Sequence, residues 1–356
     1  MKKVLHYIPA FEIGGIESLF LSLASELNEA KYEVHLLVEK EIIKEDRIKL
    51  EMNNIKVHIN NISFTKNIIL YYKKLKDIIN ELKPDIIHIH SFFTRPLILT
   101  VISKINKIIL HAHSSKLTKN ETIGKKITDI LLKDKYIYLA CSKEAGECYF
   151  GKNRNIEVIA NGIDFNNFKY NLLTKKDYIK DLRLENKKIV GMIGRLSYPK
   201  NHKFAIRIFE ELKKIDNDYI LLLIGNEADE KGIPQLVKEK GLEKEVIFLG
   251  ARSDIKELLS LIDVYLMPSI FEGLSVGLLE AQASGVQCLV SDAITSKNIV
   301  TNNVTVLSLN DSPKIWAEKI IELYSKGRED IDYNKLNESE YSIKVFAKKI
   351  EEIYDK

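Results

Sequence analysis

Short, continuously apolar segments that alternate with amphipathic ones most constrain the fold of this chain. The runs KVLHYIP, EVHLLV, DIIHIH, KIILHAH, IYLACS and IEVIAN occur first, followed later by KIVGMIG, YILLLIG, VIFLG, DVYLMPS, VQCLVSD and TVLSL. Apolar runs without polar alternation are typical of strands that are covered on both faces, as in a parallel sheet. Helical periods lie between several runs, so the sequence predicts βαβ units; one such period is Ile16, Leu19, Leu23 and Leu27.

The pattern starts again after a polar, lysine-rich segment at residues 164–188, which predicts two domains. A chain of 356 residues also exceeds the usual size of a single core. We expect an α/β protein of two Rossmann-like, doubly wound domains facing across a cleft, over residues 1–164 and 165–340. Residues 341–356 form a further amphipathic helix that we expect to cross back to the first domain.

Composition excludes several classes of protein. Hydrophobic residues make up 45% of the chain and charged residues 29%, which is ordinary for a soluble globular protein. No apolar run approaches the ~18 residues that a membrane span needs, and a formal net charge of +4 is too small to indicate nucleic acid as a partner. Cys141, Cys148 and Cys288 form no CxxC pair, which favours a reducing compartment and predicts a cytoplasmic protein.

The segment SIFEGLSVGLLEAQASG, residues 269–285, follows the strand DVYLMPS and opens an apolar helix. Ser275 is the expected N-cap of this helix and Gly285 its expected end. Backbone N–H groups at a helix N-terminus are unpaired, and the helix dipole is positive there. The turn formed by Gly273, Leu274 and Ser275 is therefore suited to a phosphate or diphosphate.

Glu272 and Glu280 are expected to converge on this turn. Helical side chains lean toward the N-terminus, so Glu280 can reach back from the second turn, while Glu272 lies just ahead. A carboxylate accepts hydrogen bonds in pairs, which suits the adjacent hydroxyls of a sugar. The alternative is that Glu272 is only a favourable charge near a helix start and that Glu280 is solvated. An unpartnered acid in the apolar helix GLLEAQA would be costly, which favours the binding role.

Two further segments follow the first strand of each domain. In IGRLSYPKNH, Arg195 and Lys200 lie at the carboxyl end of a strand, where they could neutralise a diphosphate leaving group without a metal. Taken alone, an Arg and a Lys at the surface are usually only solvated cations, and that interpretation is favoured for the pair without further evidence. In FEIGGIESLFLSL, Gly14 and Gly15 would permit close approach of the backbone to a ligand.

Two HxH pairs and one DxD motif raise the question of a metal site. The pairs lie at the ends of neighbouring strands and consist of His88, His90, His111 and His113. Zinc is conceivable there, but no acid or cysteine accompanies the pairs, which favours core or cleft histidines. The motif at Asp330 and Asp332 lies in a charged stretch and is interpreted as a solvated turn. The sequence therefore predicts neither a metal nor a cofactor.

In order and spacing, these motifs resemble glycosyltransferase family 4, whose retaining members have the GT-B fold. EGLSVGLLEA resembles the glutamate-x7-glutamate signature of those enzymes, and GRLSYPKNH resembles their Arg/Lys motif. GGIE, HAHSS and NGID resemble further landmarks, so the resemblance covers nearly the entire chain. The sequences YPKNH and EGLSVGLLEAQASG are similar to those of bacterial capsular and exopolysaccharide glycosyltransferases.

The resemblance implies a role for each candidate residue. The catalytic residues would be His113, Glu272, Arg195 and Lys200, and the substrate-binding residues would be Gly14, Gly15, Arg252, Gly273, Leu274, Ser275 and Glu280. Glu280 would bind the ribose, and Glu272 and His113 would contact the donor sugar. Arg195 and Lys200 would bind the diphosphate, and the backbone near Arg252 would face the base.

The implied reaction moves a sugar, with retention, from a nucleotide-diphosphate sugar to a hydroxyl of a glycan or lipid-linked acceptor, with a UDP-sugar as the expected donor. The departing diphosphate would help to take the acceptor proton, and Glu272 would position the sugar. Two residues depart from the family pattern. Gly277 replaces a larger apolar residue, and Ser275, which replaces Pro or Gly, could offer its hydroxyl to phosphate.

The sequence leaves two other functions open. A non-catalytic GT-B subunit that supports a partner transferase is disfavoured by the intact charged residues. A dinucleotide oxidoreductase is disfavoured because the first βα turn lacks GxGxxG.

The segment at residues 114–135 carries six lysines and three acids. It could touch anionic lipid at the cytoplasmic membrane face, although a solvated charged surface is favoured.

Overall fold

The computed structural model describes residues 1–11, 15–90, 105, 107–113, 129–130, 136–228, 230 and 232–356. The chain divides into two compact units, one of Met1–Ile163 with Asn337–Lys356 and one of Asp164–Leu336, which we term the first and the second unit. Within these described ranges, no helix is both long and apolar enough to cross a membrane. The three cysteines are free.

The first unit is built on a seven-stranded parallel sheet of order β3-β2-β1-β4-β5-β6-β7. Its strands are β1 Lys2–Tyr7, β2 Tyr32–Val38, β3 Lys56–Ile59, β4 Ile86–Ile89, β5 Lys107–Ala112, β6 Ile137–Ala140 and β7 Ile156–Val158. Its described helices of more than one turn are α1 Gly15–Glu26, α2 Lys44–Met52, α3 Ile68–Leu82 and α4 Lys143–Phe150, and the C-terminal α12 Ile343–Asp355 joins them.

The second unit has a six-stranded parallel sheet of order β10-β9-β8-β11-β12-β13. Its strands are β8 Lys188–Ile193, β9 Tyr219–Ile224, β10 Val246–Gly250, β11 Val264–Met267, β12 Gln287–Ser291 and β13 Val304–Leu307. Its helices are α5 Leu172–Asp181, α6 His202–Ile215, α7 Ile233–Glu239, α8 Ile255–Leu261, α9 Val276–Ala283 and α10 Pro313–Lys326. A short helix, α11 Tyr333–Glu338, spans the boundary between the units.

Each sheet is covered on both faces, as the continuous apolar runs predict. In β1, Val4 belongs to one buried cluster and Leu5 to another, because successive side chains of a strand point to opposite faces. Val190 and Ile189 of β8 divide between two clusters in the same way. The α/β class with two doubly wound sheets is therefore confirmed.

The C-terminal helix completes the core of the first unit. Phe346, Ile350 and Tyr354 are fully buried in the same cluster as β1 and α1. A Cβ atom on Gly162, in the NGID segment, would lie 2.7 Å from Cβ of Phe346 and 2.8 Å from Cα of Ile343. Only glycine fits this close approach, and the predicted return of the last helix to the first unit is confirmed.

One strand, β3, is absent from the sequence prediction. It has four residues, KVHI, lies at the edge of the sheet beside β2, and is only partly buried. A short edge strand has one neighbour and a partly solvated face, so it carries no continuous apolar run.

Both sheets reverse their strand order at the same place. The order runs outward from β1 on one side and from β4 on the other, and likewise from β8 and β11. In open α/β sheets, the crevice outside the carboxyl ends of the strands at such a reversal is where ligands bind. The topology therefore directs attention to the segments after β8 and β11, and after β1 and β4.

Candidate active site

The segment after β8 is a tight turn that carries Lys200. Gly194 has φ +147°, and a Cβ atom there would lie 2.8 Å from Cε of Lys200. A Cβ atom on Gly225 would lie 2.1 Å from the carbonyl oxygen of Gly194. Both positions therefore require glycine, and the turn packs directly against the aliphatic part of the lysine side chain.

Two hydrogen bonds to backbone carbonyls connect the segments after β8 and β11. The N–H of Ile270 donates to the carbonyl of Pro199 at 2.8 Å. The side-chain amide of Asn201 donates to the carbonyl of Pro268 at 3.0 Å. These contacts hold the two loops at the strand reversal in a fixed arrangement, on which the charged side chains are mounted.

Glu272 is held by two partners at one of its oxygens. Nζ of Lys200 lies 2.7 Å from Oε1, and the hydroxyl of Ser269 donates to the same oxygen at 3.1 Å. Both charged side chains are mostly buried, with 19% of Lys200 and 14% of Glu272 exposed. Oε2 has no hydrogen-bond partner among the described residues, so this oxygen can accept hydrogen bonds from a ligand. Ser269, fully buried, is a positioning residue that sequence reasoning missed.

Glu280 lies on the second turn of α9, as predicted, and is half-buried. Its carboxyl group forms no ion pair or hydrogen bond with any residue that the structure describes. Removal of water by the surrounding protein raises the pKa of Glu280 to about 7. A partly buried acid without a partner is costly, and hydroxyl groups of a bound ligand would supply the missing hydrogen bonds.

The turn between the two glutamates is held from behind by Asn298. Its Nδ2 donates to the carbonyl of Gly273 at 2.7 Å, and its Oδ1 accepts from the N–H of Ser275 at 2.9 Å. The side chain of Gln282 in turn donates to the carbonyl of Asn298 at 2.7 Å. Asn298 and Gln282 are fully buried. Sequence reasoning missed Asn298 because it lies far along the chain from the turn.

Ser275 departs from its predicted role in this conformation. It is the N-cap of α9, as predicted, but its hydroxyl points to Sδ of Met267 at 3.6 Å and its N–H is taken by Asn298. Ser275 is buried, so neither group is presented to a phosphate. The N–H groups of Gly273 and Leu274 form no hydrogen bond with described residues, and they are the amides of the turn that remain open to an anion.

The two arginines of the candidate site differ in their surroundings. Arg195 is exposed and forms no ion pair within the described part of the chain. Arg252 is bound through Nε and Nη2 to Asp254, at 2.8 and 2.5 Å, and Asp254 also accepts from the hydroxyl of Tyr178. The Arg252 guanidinium is thus occupied, which is compatible with the prediction that only the backbone near it faces a ligand.

In the first unit, Gly14 lies outside the described residues and Gly15 begins α1. Gly15 is exposed, and a Cβ atom built there would meet no atom of the described residues within 4 Å. The basic segment at 114–135 also lies outside the described residues, apart from Asp129 and Ile130.

His113 follows β5 and has both ring nitrogens engaged within the first unit. Its Nδ1 lies 3.1 Å from Oδ1 of Asn161, and its Nε2 lies 3.0 Å from Nδ1 of His90. Burial lowers the pKa of His113 to about 4, so the ring is neutral at physiological pH. No ring nitrogen of His113 is left to bind a sugar hydroxyl in this conformation, contrary to the simplest form of the predicted side-chain contact.

The histidines of the two HxH pairs come together with His6. Ring nitrogens of His6, His88 and His90 lie within 4.8 Å of one another, as do those of His90, His111 and His113. Most of these nitrogens are already hydrogen-bonded to a neighbouring ring or to Tyr354. The acidic motif is different: Asp330 and Asp332 are exposed, and Asp332 accepts from the N–H groups of Asn334 and Lys335.

Arg328 is a structural residue that no sequence motif indicated. Its guanidinium donates to the carbonyls of Ser284, Leu259, Ser260 and Ile262 at 2.6 to 2.9 Å. These carbonyls lie at the ends of α8 and α9, where helices leave acceptors unpaired. Burial lowers the pKa of Arg328 to about 10. Arg328 therefore fastens the helix that carries Glu280 to its neighbour.

Comparison with known proteins assigns the chain to a family. Residues 174–351 match the model of glycosyl transferases group 1, and residues 13–167 match the model of glycosyltransferase family 4. Together the two models cover nearly the whole chain, and their common boundary falls close to the division between the two units.

Relatives of similar length support the assignment. EpsF of Bacillus subtilis (strain 168), named as a glycosyltransferase, is 27% identical over 94% of this chain and 91% of its own. The capsular polysaccharide biosynthesis glycosyltransferase CapH of Staphylococcus aureus is 27% identical over 76% of each chain. The UDP-Gal:alpha-D-GlcNAc-diphosphoundecaprenol alpha-1,3-galactosyltransferase of Escherichia coli is 26% identical over 73% of each chain.

A solved structure supports the fold. The Anabaena protein Alr3699/HepE in complex with UDP-glucose is 17% identical, has a TM-score of 0.75 and covers 100% of both chains. The fold is therefore that of the GT-B glycosyltransferases, and the predicted similarity to bacterial capsular and exopolysaccharide enzymes is confirmed. With a family 4 model over its first unit and a group 1 model over its second, the chain belongs to the glycosyltransferases.

Proposed function

We propose that the protein is a retaining glycosyltransferase that moves a sugar from a nucleotide-diphosphate sugar to a hydroxyl group in bacterial surface polysaccharide synthesis. The observation that carries this proposal is the arrangement at the reversal of the second sheet. Lys200 and Glu272 lie 2.7 Å apart in front of a turn with open amides, and the unpaired carboxyl of Glu280 lies on the following helix. Cation, amides and carboxylates match the diphosphate and the hydroxyls of such a donor.

The same arrangement supports a division of roles. Lys200 and Arg195 would neutralise the departing diphosphate, so that no metal is required. Glu280 would hold the ribose, and Oε2 of Glu272 would accept from the donor sugar. On donor binding, Lys200 would exchange Glu272 for phosphate. His113 is neutral and has both ring nitrogens engaged, so it would not transfer a proton, which fits a reaction in which the leaving diphosphate takes the acceptor proton.

The donor and acceptor classes are proposed from the relatives. A UDP-sugar is the proposed donor, because HepE was solved with UDP-glucose and the E. coli relative is named for UDP-Gal. A lipid-linked glycan is the proposed acceptor, since that relative is named for an undecaprenol diphosphate sugar. Such an acceptor would bring the protein to the cytoplasmic face of a membrane.

Nucleotide release from UDP-, GDP- and ADP-sugars tests the proposal, measured with a chelator present and with soluble or lipid-linked acceptors. We expect release from a UDP-sugar and none from the variant Glu280→Ala. Glu318→Ala is the matched control, because it removes the same charge from an exposed helix position. A chain that binds no donor and releases no nucleotide would instead be a non-catalytic subunit. Release that needs a divalent cation would overturn the metal-free mechanism.

A further inference from the structure

A continuous hydrogen-bonded chain of imidazoles runs through the first unit. It links Asn161, His113, His90, His6, Tyr354, His88 and His111, in that order. The strands β1, β4 and β5 contribute or precede the histidines, and α12 contributes the tyrosine. All members are buried except His113 and Asn161, which are half-buried.

Every ring in this chain is neutral near physiological pH. Burial lowers the pKa of His6 to about 3 and that of His113 to about 4, and it lowers the pKa values of His88, His90 and His111 well below the usual value. A neutral imidazole has one N–H donor and one nitrogen lone pair. Each ring can therefore donate one hydrogen bond and accept one. All hydrogen bonds of the chain must then be donated in the same direction.

Asn161 sets the direction at one end. Its Oδ1 can only accept, so Nδ1 of His113 must donate to it, at 3.1 Å. Nε2 of His113 then has only a lone pair and accepts from Nδ1 of His90, at 3.0 Å. By the same reasoning, Nε2 of His90 accepts from Nδ1 of His6, at 2.8 Å. Three successive rings are thus forced into the tautomer with the proton on Nδ1.

Tyr354 passes the direction on to the other two rings. Nε2 of His6 accepts from the Tyr354 hydroxyl at 3.3 Å, and the tyrosine oxygen accepts from Nδ1 of His88 at 2.7 Å. Nε2 of His88 then accepts from Nδ1 of His111 at 3.2 Å. The chain ends at Nε2 of His111, a buried nitrogen with no partner among the described residues.

The reverse direction is disfavoured at both ends. It would require the amide of Asn161 to be turned over, and it would leave a buried N–H on Nε2 of His111 instead of a lone pair. Orphaned buried N–H groups are rarer than under-satisfied acceptors, since an unpaired donor is the more costly group.

We propose that Asn161 is a positioning residue whose carbonyl oxygen fixes the Nδ1–H tautomer of His113 and, through the chain, that of four further histidines. Its importance for catalysis rests on the proposed function, because His113 borders the donor sugar only if the protein is a transferase of this family. The tautomer itself is a property of the first unit and does not depend on turnover.

Ring nitrogen shifts of protein labelled with 15N-histidine, recorded without substrate at mildly alkaline pH, test the proposal directly. The whole protein has 8 histidines, so the signals are few enough to assign by single substitutions. We expect protonated Nδ1 and bare Nε2 in His6, His88, His90, His111 and His113. A protonated Nε2 in His113 would overturn the proposal.

Two variants of Asn161 separate positioning from a merely structural role. Asn161→Ala removes the accepting oxygen, so the signals of His113 and of the four rings that follow it should shift toward a mixture of tautomers. Asn161→Asp keeps an accepting oxygen and should retain protonated Nδ1. An unchanged tautomer in Asn161→Ala would show that another group sets it. His58→Gln is the matched control, because His58 pairs with His35 outside the chain and should leave all five signals in place.

A third variant tests the chain independently if Asn161→Ala fails to fold. Tyr354→Phe removes only a hydroxyl and cuts the chain between His6 and His88. His113, His90 and His6 should keep protonated Nδ1, whereas His88 and His111 should lose their fixed tautomer. A change in all five rings, or in none, would contradict the proposed direction. Failure of nucleotide release alongside these results would count against the proposed function alone.

Discussion

The two units place opposite kinds of side chain at the ends of their central strands. In the first, five neutral histidines satisfy one another and leave a single nitrogen without a partner among the described residues. In the second, charged side chains are mounted on rigid turns, and the carboxyl of Glu280 and an oxygen of Glu272 stay open. A self-satisfied network contributes order, whereas unmet hydrogen-bonding capacity in a fixed frame invites a ligand.

The largest expected effect is loss of activity at the second-unit site. Lys200→Ala removes the cation that faces the open turn, so we expect nucleotide release (kcat/KM) to fall by ~10²–10³, as for other preorganised electrostatic groups. The control is Lys314→Ala, an exposed lysine of the same unit. If Lys200→Ala and Lys314→Ala were equally active, the candidate site around Lys200 in the second unit would not be the active site.

The second largest effect is expected in acid, where the first unit should lose stability before the second. Folding lowers the pKa of the buried histidines below the unfolded value of about 6.5, to about 3 for His6 and about 4 for His113, so the unfolded state binds more protons. The contribution of these histidines to the stability of the first unit is then fully present above about pH 6.5 and is lost as pH falls toward their folded-state pKa values. Glu280 acts in the opposite sense: its pKa is raised to about 7, and its unfavourable contribution grows as pH rises through that value.

A single tryptophan makes this difference measurable. Trp316 is buried in the core of the second unit, and the chain has no other. During acid titration we expect far-ultraviolet circular dichroism to report loss of first-unit structure before Trp316 fluorescence changes. A fluorescence change that precedes or coincides with the circular dichroism change would contradict the contrast between the units.

A smaller effect should follow from Asn298→Ala. The variant removes both side-chain hydrogen bonds that hold the turn at Gly273 and Ser275. We expect the donor KM to rise about tenfold, a loss of ~1.4 kcal/mol, with a smaller change in kcat. Initial rates over a range of donor concentrations give both values. If only the melting temperature falls, Asn298 supports the fold and not the donor turn.

The smallest effect is expected for Gly277→Ala in α9. The added Cβ would lie 3.4 Å from the hydroxyl oxygen of Tyr265, an ordinary contact, and alanine favours a helix over glycine by up to ~1 kcal/mol. Urea unfolding should therefore show a slight gain in stability. A loss of stability would mean that glycine is required here by the close packing of the helix and not by its backbone conformation.

What the sequence could predict depended on how local the signal was. The strands other than β3, the bounds of α9 and the N-cap Ser275 follow from neighbours within a few residues, and the motifs around Glu272, Glu280 and Lys200 indicated the second-unit site. Asn298 lies 25 residues from Gly273 along the chain. Because this contact is not local, the sequence could not predict that Asn298 takes the N–H of Ser275. The imidazole chain was hidden for the same reason: His6 and His90 are 84 residues apart and meet only through the pairing of β1 with β4.

The position of α12 has a consequence for how the protein is made. Its side chains, among them Phe346 and Tyr354, complete the core of the first unit, yet they are translated after the entire second unit. Domains usually fold as they emerge, the N-terminal one first. Here the second unit is contiguous and can finish folding earlier, whereas the apolar groove of the first unit stays uncovered until α12 has left the ribosome.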